Sequence, residues 1–274
     1  MSMERIKIMA FAAAQDVWLL VRTLGRAVLG KERFDRLIDR TGLHELKNRS
    51  WRASLMLPDG NVLLYRPQDP SVVDEVYGRD VYGRERIPTG GTVVDAGAHI
   101  GAFTLMAARR VGPAGRVLSF EPSPGTQEVL RSNVRFNGLS WVKIFPAALA
   151  DASGTAPFYV ASVTAESPFS DTLTPLPGRA QVEVPVRRLD DVLAEEGITS
   201  VDLLKMDVEG AELRLLEGAS KTLARTQRVV MEVHRPRVDP AEVRRRLEGL
   251  GFSCRVITYG DTVILEAVRP HPAD

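Results

Sequence analysis

The sequence predicts a doubly wound α/β fold with a seven-stranded, mainly parallel sheet, preceded by an N-terminal extension of helices and a β-hairpin. Two observations support this prediction. From residue 92 onward, short apolar segments alternate with segments of helical periodicity, as in parallel sheets covered by helices on both faces. The first apolar segment runs into a glycine-containing turn and then a helix, an arrangement that places a ligand at the carboxyl end of a sheet.

Composition narrows the class of protein. The 274 residues suffice for one large α/β domain with an extension, and 44% hydrophobic with 26% charged residues is typical of a globular protein. Because 36 Lys and Arg residues balance 35 Asp and Glu residues, we expect no broad basic surface and no nucleic-acid partner. No segment reaches the roughly 20 apolar residues of a membrane span. The single cysteine, Cys254, cannot form an internal disulfide, and no signal-peptide pattern is present, so we expect a cytoplasmic protein.

Residues 1–85 form the predicted N-terminal extension. We expect it to cap the main domain, to lie on the substrate side, or to form a homodimer through its helices. Its elements are amphipathic helices over 1–30 and 32–46, a β-hairpin over 54–57 and 62–65, and a short helix and loop over 74–82.

Residues 86–274 form the predicted main domain. The alternation of strands and helices is interrupted over 151–188 by a β-like, proline-rich insertion, which is a suitable place for loops over an active site. The predicted strands cover 92–96, 116–120, 142–146, 201–206, 228–233, 252–258 and 262–267, and the predicted helices cover 102–111, 126–137, 190–196, 211–225 and 240–249.

The first turn of this domain reads Asp-x-Gly-x-x-x-Gly, with Asp95 at the strand end and Gly97 and Gly101 in the turn. A pyrophosphate-binding turn instead reads Gly-x-Gly-x-x-Gly and holds two negative charges. A carboxylate at the strand end would repel a pyrophosphate, whereas it suits a cofactor with an ammonium group and a sulfonium. The turn therefore predicts S-adenosylmethionine as the cofactor.

A second acidic residue, Glu121, ends the next predicted strand, where it can accept hydrogen bonds from both ribose hydroxyls of an adenosine ligand. The competing interpretation makes Asp95 a helix cap and Glu121 a surface charge. The predicted cofactor-binding residues are Asp95, Gly97, Ala98, His99, Ile100, Gly101, Glu121, Pro122, Ser123 and Asp207.

The candidate catalytic residues are His234, Asp207 and Lys205, at the ends of the fourth and fifth strands. Transfer of the methyl group of S-adenosylmethionine requires in-line positioning, and a hydroxyl acceptor also requires removal of a proton. Asp207 stands at the end of strand 201–206, and alternation places Glu232 and His234 on one side of the neighbouring strand. We expect His234 or Asp207 to accept the proton, with His234 better matched in pKa. Lys205 is predicted to share the side of Asp207 and to pair with a carboxylate.

Other interpretations of these residues are open. Asp207 and Glu209 could cap the following helix, and His234 could be an ordinary loop residue. Asp207, Glu232 and His234 would also make a workable ligand set for a divalent ion. Since no spacing motif supports a metal, the sequence predicts none.

Four segments together resemble the FkbM-type methyltransferases, and the resemblance covers residues 82–232. It implies a class I, Rossmann-like methyltransferase that uses S-adenosylmethionine to methylate a hydroxyl of a polyketide, sugar or other specialised metabolite. One position differs, since the family usually has Asn where this chain has His99. The four segments are Val94-Asp95-Ala96-Gly97-Ala98-His99-Ile100-Gly101, Phe120-Glu121-Pro122, Leu189-Asp190-Asp191, and the run from Val201 through Lys205-Met206-Asp207-Val208-Glu209-Gly210-Ala211-Glu212.

Two other function classes remain as alternatives, a nucleotide-dependent oxidoreductase and a catalytically silent methyltransferase-like binding module. Amine acceptors are disfavoured, because the Asn/Asp-Pro-Pro-aromatic turn of amine methyltransferases is replaced here by Met206-Asp207-Val208-Glu209. We expect a small hydroxyl-bearing acceptor. Its contacts should come from the N-terminal helices and from Tyr77, Tyr82, Phe158, Tyr159, Phe169 and Ser170.

Overall fold

The computed structural model describes residues 53–66, 69, 71–160, 172–173, 180–259 and 262–270. The helices predicted over 1–30 and 32–46, the homodimer expected through them, and Phe169 and Ser170 lie outside the described residues. None of the helices within the described ranges has both the length and the apolar character needed to cross a membrane.

The described strands and helices alternate along the chain, as predicted. The order is β1 (Ala53–Met56), β2 (Val62–Tyr65), α1 (Ser71–Val73), β3 (Thr92–Ala96), α2 (Ala102–Val111), β4 (Arg116–Phe120), α3 (Pro124–Phe136), β5 (Val142–Phe145), β6 (Ala148–Leu149), β7 (Gly154–Val160), β8 (Ala180–Arg187), α4 (Leu189–Glu195), β9 (Val201–Met206), α5 (Glu212–Gly218), α6 (Ser220–Leu223), β10 (Thr226–Val233), α7 (Pro240–Gly249), β11 (Ser253–Tyr259) and β12 (Thr262–Val268). Helix α1 continues as a π-helical turn over Asp74–Gly78, and a 3-10 turn covers Arg84–Arg86.

The main sheet has seven strands in the order β11-β12-β10-β9-β3-β4-β5. Strands β10, β9, β3, β4 and β5 are parallel, while β12 runs antiparallel to both of its neighbours. This confirms the predicted doubly wound, mainly parallel fold. The chain leaves β3 toward β4 and β5 and returns to β9 on the other side, so the carboxyl ends of β3 and β9 form the switch point where such sheets bind ligands.

Both faces of the sheet are buried, which explains why its strands read as continuous apolar runs. Adjacent residues of β3 point into different cores: Val93 packs with helices α2 and α3, and Val94 packs with the helices on the opposite face. The first core also contains Leu63 of the hairpin and Tyr82 of the segment before β3, both at most 2% exposed. The described part of the N-terminal extension therefore shares a hydrophobic core with the main sheet.

Asn133 of α3 and Asn137, the C-cap residue of α3, bind the hairpin. Asn133 Oδ1 accepts from the amide of Leu64 at 2.6 Å, and its Nδ2 donates to the Leu64 carbonyl at 2.9 Å. One turn later, Asn137 makes the same pair of bonds to Val62 at 2.8 Å each. The side chains of a helix thereby satisfy backbone groups of β2 that a neighbouring strand would otherwise pair.

Two predicted helices were wrong in extent. The helix predicted over 211–225 is divided into α5 and α6, because Gly218 lies against the main chain of Ala150, where a Cβ would be 1.9 Å from the carbonyl oxygen. The carboxylate of Asp190 then accepts from the amides of Lys221 at 3.0 Å and Thr222 at 2.7 Å, which begins a new helix. The helix predicted over 74–82 instead starts at Ser71 and ends as the π-helical turn. The other ends differ by a residue or two.

The insertion contains β-structure, as predicted. Strands β6, β8 and β7 form a second sheet in that order, with β7 antiparallel to β8. Phe158 and Val184 pack in its small core, and Tyr159 pairs with Thr172 in an isolated bridge. This bridge brings the insertion to the end of the main sheet where β9 and β10 terminate, since Thr172 Oγ1 donates to the carbonyl of Glu209 at 2.7 Å.

Candidate active site

The turn between β3 and α2 is fixed to the end of β4. The amides of Gly97 and Ala98 both donate to the carbonyl of Phe120, at 3.1 and 2.9 Å. Gly97, His99 and Gly101 adopt positive φ angles of 77°, 51° and 94°, so three of the five residues of this turn have left-handed backbone conformations. The resulting loop, residues 97–101, is called the cofactor loop below.

Asp95 is fully enclosed beneath this loop. Its carboxylate accepts from Thr104 Oγ1 at 2.6 Å and lies 3.2 Å from Lys205 Nζ. Because the residue is 0% exposed and its charge is matched by Lys205, it offers a ligand no exposed oxygen. A helix-cap role is also not seen, since the N-cap residue of α2 is Gly101 and no side chain caps the helix there. As placed, Asp95 supports the loop from below.

Lys205 links the loop to the neighbouring strand. Its Nζ donates to the carbonyl of Gly97 at 2.7 Å and lies 3.7 Å from the carboxylate of Asp207. Burial lowers the pKa of Lys205, but the carboxylates of Asp95 and Asp207 raise it by more, so the side chain remains a cation. The structure thus shows Lys205 on the side of Asp207 and paired with carboxylates, and it also places the ammonium over the Tyr82 ring at 5.6 Å.

Glu121 lies on the other side of the loop. Its Oε2 accepts from the amide of His99 at 2.9 Å, and its Oε1 accepts from the amide of Ser123 at 2.8 Å. The side chain is buried, so a surface-charge role is not what the structure shows. A carboxylate is a pure hydrogen-bond acceptor when ionised, which is the chemistry that ribose hydroxyls require. Pro122 and Ser123 continue the chain into α3, which has Ser123 at its N-cap.

The backbone of His99 explains why an imidazole stands where the FkbM-type pattern has an amide. Its φ of 51° lies in the left-handed region, where Asn, Asp and His are the side chains most often accepted besides glycine. The imidazole Nε2 lies 3.5 Å from Asp69 and 3.4 Å from a guanidinium nitrogen of Arg66. Arg66 and Asp69 are themselves joined by two hydrogen bonds of 2.9 Å.

Sequence reasoning missed Arg66 and Asp69. They follow a strand at a spacing of three residues, which is an ordinary surface pattern for a charged pair. Only the docking of β2 on α3 brings Asp69 beside the cofactor loop, where it is 1% exposed.

The ends of β9 and β10 bring three predicted residues together. Asp207, Glu232 and His234 each offer one oxygen or nitrogen atom, and these atoms lie within 4.8 Å of one another. The imidazole Nε2 is 3.5 Å from Asp207, 3.8 Å from Glu232 and 3.4 Å from Glu209. We call Asp207, Glu232 and His234 the acid–imidazole cluster.

Glu212 holds the imidazole of this cluster from behind. Its Oε1 lies 2.6 Å from His234 Nδ1, and it also accepts from the amide of Gly210 at 3.1 Å. The residue is 0% exposed. Because the N-cap residue of α5 is Ala211 and no side chain caps the helix there, neither Asp207 nor Glu209 has the predicted capping role. The final Glu of the Lys-x-Asp-x-Glu-Gly-x-Glu run is thus a partner of His234.

The crowding of carboxylates shifts two pKa values. Burial lowers the pKa of His234, but the hydrogen bond to Glu212 and the charges of Asp207 and Glu209 raise it to about 9. Burial and the charge of Asp207 raise the pKa of Glu232 to about 8, against the opposing effect of His234. In this arrangement of charges the imidazole carries a proton at neutral pH.

Glu75 joins this acidic region and was not predicted to do so. Burial and the nearby charge of Asp207 raise the pKa of its carboxyl group. Glu75 lies in the π-helical turn after α1. The short helix and loop predicted over 74–82 did not indicate that this residue would lie near the end of β9.

The acid–imidazole cluster and the cofactor loop are in direct backbone contact. The amide of Asp207 donates to the carbonyl of Ala96 at 3.0 Å, at the end of β3. A Cβ at Gly97 would be 1.8 Å from the carbonyl oxygen of Asp207. A ligand bound to the cofactor loop would therefore lie next to the acid–imidazole cluster.

Comparison with known proteins identifies the family. Residues 95–254 match the model of the Methyltransferase FkbM domain, a stretch that contains the cofactor loop and the three residues of the cluster. The chain belongs to the FkbM methyltransferase family. FkbM family membership makes the chain an S-adenosylmethionine-dependent methyltransferase and decides against the oxidoreductase alternative.

Individual relatives were also found for this FkbM family protein. The chain is 32% identical over 213 residues to Methyltransferase sdnD of Sordaria araneosa, covering 66% of this chain and 81% of that protein. It is 31% identical over 192 residues to 31-O-demethyl-FK506 methyltransferase FkbM of Streptomyces tacrolimicus, covering 60% of this chain and 73% of that protein. A solved structure of Aeropyrum pernix fibrillarin with natively bound S-adenosyl-L-methionine is 13% identical with a TM-score of 0.44, covering 80% of this chain and 95% of that chain.

Proposed function

We propose that the protein transfers the methyl group of S-adenosylmethionine to a hydroxyl oxygen of a small molecule. The observation that carries this proposal is the acid–imidazole cluster in backbone contact with the cofactor loop, through Gly97 and Asp207. An alcohol must lose a proton as it is methylated, and Asp207 is the member of the cluster placed to receive it, because His234 already carries a proton at neutral pH. The Streptomyces tacrolimicus relative, 31-O-demethyl-FK506 methyltransferase FkbM, is likewise named for methylation at an oxygen.

The cofactor is proposed to lie across the cofactor loop, with its ribose hydroxyls donating to the carboxylate of Glu121, which follows the end of β4 beside the loop. The backbone from Gly97 to Gly101 would lie along the bound cofactor. The ion pair of Asp95 and Lys205, with the hydrogen bond from Lys205 to Gly97, keeps that backbone in place. Lys205 is 3% exposed, so we assign it a positioning role behind the loop rather than contact with the acceptor.

The chemical step is an in-line displacement. A lone pair of the acceptor oxygen forms a bond to the methyl carbon, the carbon–sulfur bond breaks, and its electron pair stays on sulfur to give S-adenosylhomocysteine. The hydroxyl proton passes to the carboxylate of Asp207, because the adjacent imidazole of His234 already carries a proton. Holding the oxygen about 3 Å from the methyl carbon supplies much of the acceleration.

The test has two parts on the full chain. Calorimetric titration should show binding of S-adenosylhomocysteine and none of NAD(H). Incubation with methyl-labelled S-adenosylmethionine and a panel of hydroxylated metabolites, with matched amines and methyl ethers as controls, should label only the free hydroxyls. Label on nitrogen or carbon, or no label on any acceptor despite cofactor binding, would contradict the proposal.

The matched variants are Asp207→Asn and Asp191→Asn. Asp207 lies in the cluster, whereas Asp191 is an exposed carboxylate at the start of α4. We expect Asp207→Asn to lower methyl transfer by about 10²-fold or more, with Asp191→Asn unchanged. Equal activities would remove Asp207 from the reacting centre.

A further inference from the structure

The acid–imidazole cluster has the geometry of a ligand set. In an octahedral site with bonds of about 2.1 Å, neighbouring ligand atoms are about 3 Å apart. His234 Nε2 is 3.5 Å from Asp207 and 3.8 Å from Glu232, so a contraction of less than 1 Å would bring these atoms to such spacing. The ligand atoms come from the ends of two adjacent parallel strands, whose backbones are fixed by the sheet.

Several carboxylates lie close to one imidazole in this region, and the other cations in contact with them include Lys205, 3.7 Å from Asp207, and Arg237, 3.7 Å from Glu209. Asp207, Glu209 and Glu232 all lie within 4 Å of one imidazole. Among the described residues, His234 is the only cationic side chain within that distance of Glu232. Carboxylates held so close together repel one another unless a cation lies between them.

Glu212 provides an independent observation. It is 0% exposed and its carboxylate is directed at the imidazole, with Oε1 2.6 Å from Nδ1. Its other oxygen, Oε2, is buried and has no hydrogen-bond partner in the described part of the chain. A carboxylate bonded to the far nitrogen of an imidazole is the arrangement that orients histidines toward a metal ion, because it leaves the near nitrogen free to bind.

We propose that Asp207, Glu232 and His234 bind one divalent cation, through a carboxylate oxygen of each acid and through His234 Nε2, with Glu212 as a positioning residue. Two carboxylates and one imidazole favour a hexacoordinate ion of the Mn²⁺ or Mg²⁺ class. This revises the metal-free site that we expected from the sequence, where the same three residues showed no spacing motif.

The role of the cation rests on the proposed function. Three protein ligands leave about three positions of an octahedral ion open. An acceptor hydroxyl bound at one of them would be held beside the cofactor loop, and its pKa would fall because the ion stabilises the alkoxide. Asp207 and His234 would then act on the hydroxyl through the ion.

The experiment titrates Mn²⁺ into the chelator-treated, dialysed full chain without cofactor or acceptor, followed by calorimetry and by the electron paramagnetic resonance of free Mn²⁺. We expect saturation at one ion per chain. Asp207→Asn, Glu232→Gln and His234→Gln should each weaken binding by more than about 10-fold, and Glu212→Gln should weaken it by about 10- to 100-fold. Glu248→Gln, which alters an exposed carboxylate of α7, should leave binding unchanged.

A measurement on the unaltered protein covers the case in which a variant does not fold. Bound Mn²⁺ should broaden the amide resonances of Asp207, Val233 and His234 most strongly. Absence of saturable binding, or broadening centred on an exposed acidic surface such as α7, would overturn the site. If Mn²⁺ binds at the cluster but no hydroxyl is methylated, the proposed function fails and the site stands. If hydroxyls are methylated with chelator present and no Mn²⁺ binds, the site fails and the function stands.

Discussion

The α-carbon of Gly97 lies against the main chain of Asp207, so that a Cβ at position 97 would come within 1.8 Å of the Asp207 carbonyl oxygen. This contact sets the distance between the cofactor loop and the acid–imidazole cluster. It involves backbone on both sides, so neither partner can yield by rotating a side chain. The two parts of the site are therefore joined at a point where only glycine fits.

We expect Gly97→Ala to lower the affinity for S-adenosylhomocysteine by at least about 10-fold. It should also lower the free energy of unfolding by more than the roughly 1–2 kcal/mol that a left-handed backbone conformation costs an alanine. Calorimetric titration and urea unfolding measure the two effects. Gly90→Ala is the control, since Gly90 has a φ of 75° against 77° at Gly97 but has no atom within 4 Å of its added Cβ. Similar losses in both variants would show that backbone conformation alone, and not the contact with Asp207, is responsible.

His99 allows the backbone of the cofactor loop to be tested apart from its side chain. Both His99→Asn and His99→Val remove the imidazole from Asp69 and Arg66, but only Asn readily adopts the left-handed φ of 51°. We expect His99→Asn to keep affinity for S-adenosylhomocysteine within a few-fold. His99→Val should lose about 10-fold or more, because the amide at position 99 would no longer reach Glu121. An equal loss of affinity in both variants would mean that the imidazole contacts, and not the backbone conformation, hold the loop.

Asn133 connects the hairpin to the cofactor loop. Besides its two bonds to Leu64, its Nδ2 donates to the carbonyl of Ile100 at 2.7 Å. Asn133→Asp keeps the acceptor but replaces the donor with an oxygen that faces two buried carbonyls. We expect a loss of about 2–4 kcal/mol in the free energy of unfolding, measured by urea denaturation. Asn137→Asp, at a half-buried position one turn later, should lose less.

Asp190 supplies a pH-dependent contribution to stability. Burial raises the pKa of this carboxyl group, but the hydrogen bonds from Lys221 and Thr222 outweigh burial and lower the pKa below 3.8. A carboxyl group with a lowered folded-state pKa stabilises the fold above its unfolded pKa, and that stabilisation disappears as the pH falls through the folded value. We expect Asp190→Ala to cost about 0.5–2 kcal/mol at pH 7 and progressively less as the pH falls below 3.8.

Asp191→Ala is the control for this prediction, because Asp191 is the adjacent carboxylate and its side chain is 46% exposed. Urea unfolding curves at a series of pH values give the difference between each variant and the unaltered protein. A difference for Asp190→Ala that is independent of pH would show that the helix start depends on packing rather than on the charge of the cap.

The strand and helix pattern could be read from the chain because buried parallel strands and amphipathic helices have local signatures. The Asp-x-Gly-x-x-x-Gly turn and the acid after the next strand were informative for the same reason, since each lies at a strand end and strand ends converge at a switch point. The alternation of Glu232 and His234 along one strand likewise placed both near Asp207.

The sequence by itself determined the sheet, the family and the side of the sheet on which the site lies, because these follow from periodicity and from motifs within short segments. Only the tertiary structure decided the charge partners. Asp95 is neutralised by Lys205 from the adjacent strand β9, His234 is held by Glu212 from helix α5, and Glu75 enters the site from a π-helical turn. Such pairings depend on how separate elements pack, and no local pattern records the distance between side chains that are far apart along the chain. For that reason the sequence offered Asp207, Glu232 and His234 as three candidates, and the fold brought them together as one cluster.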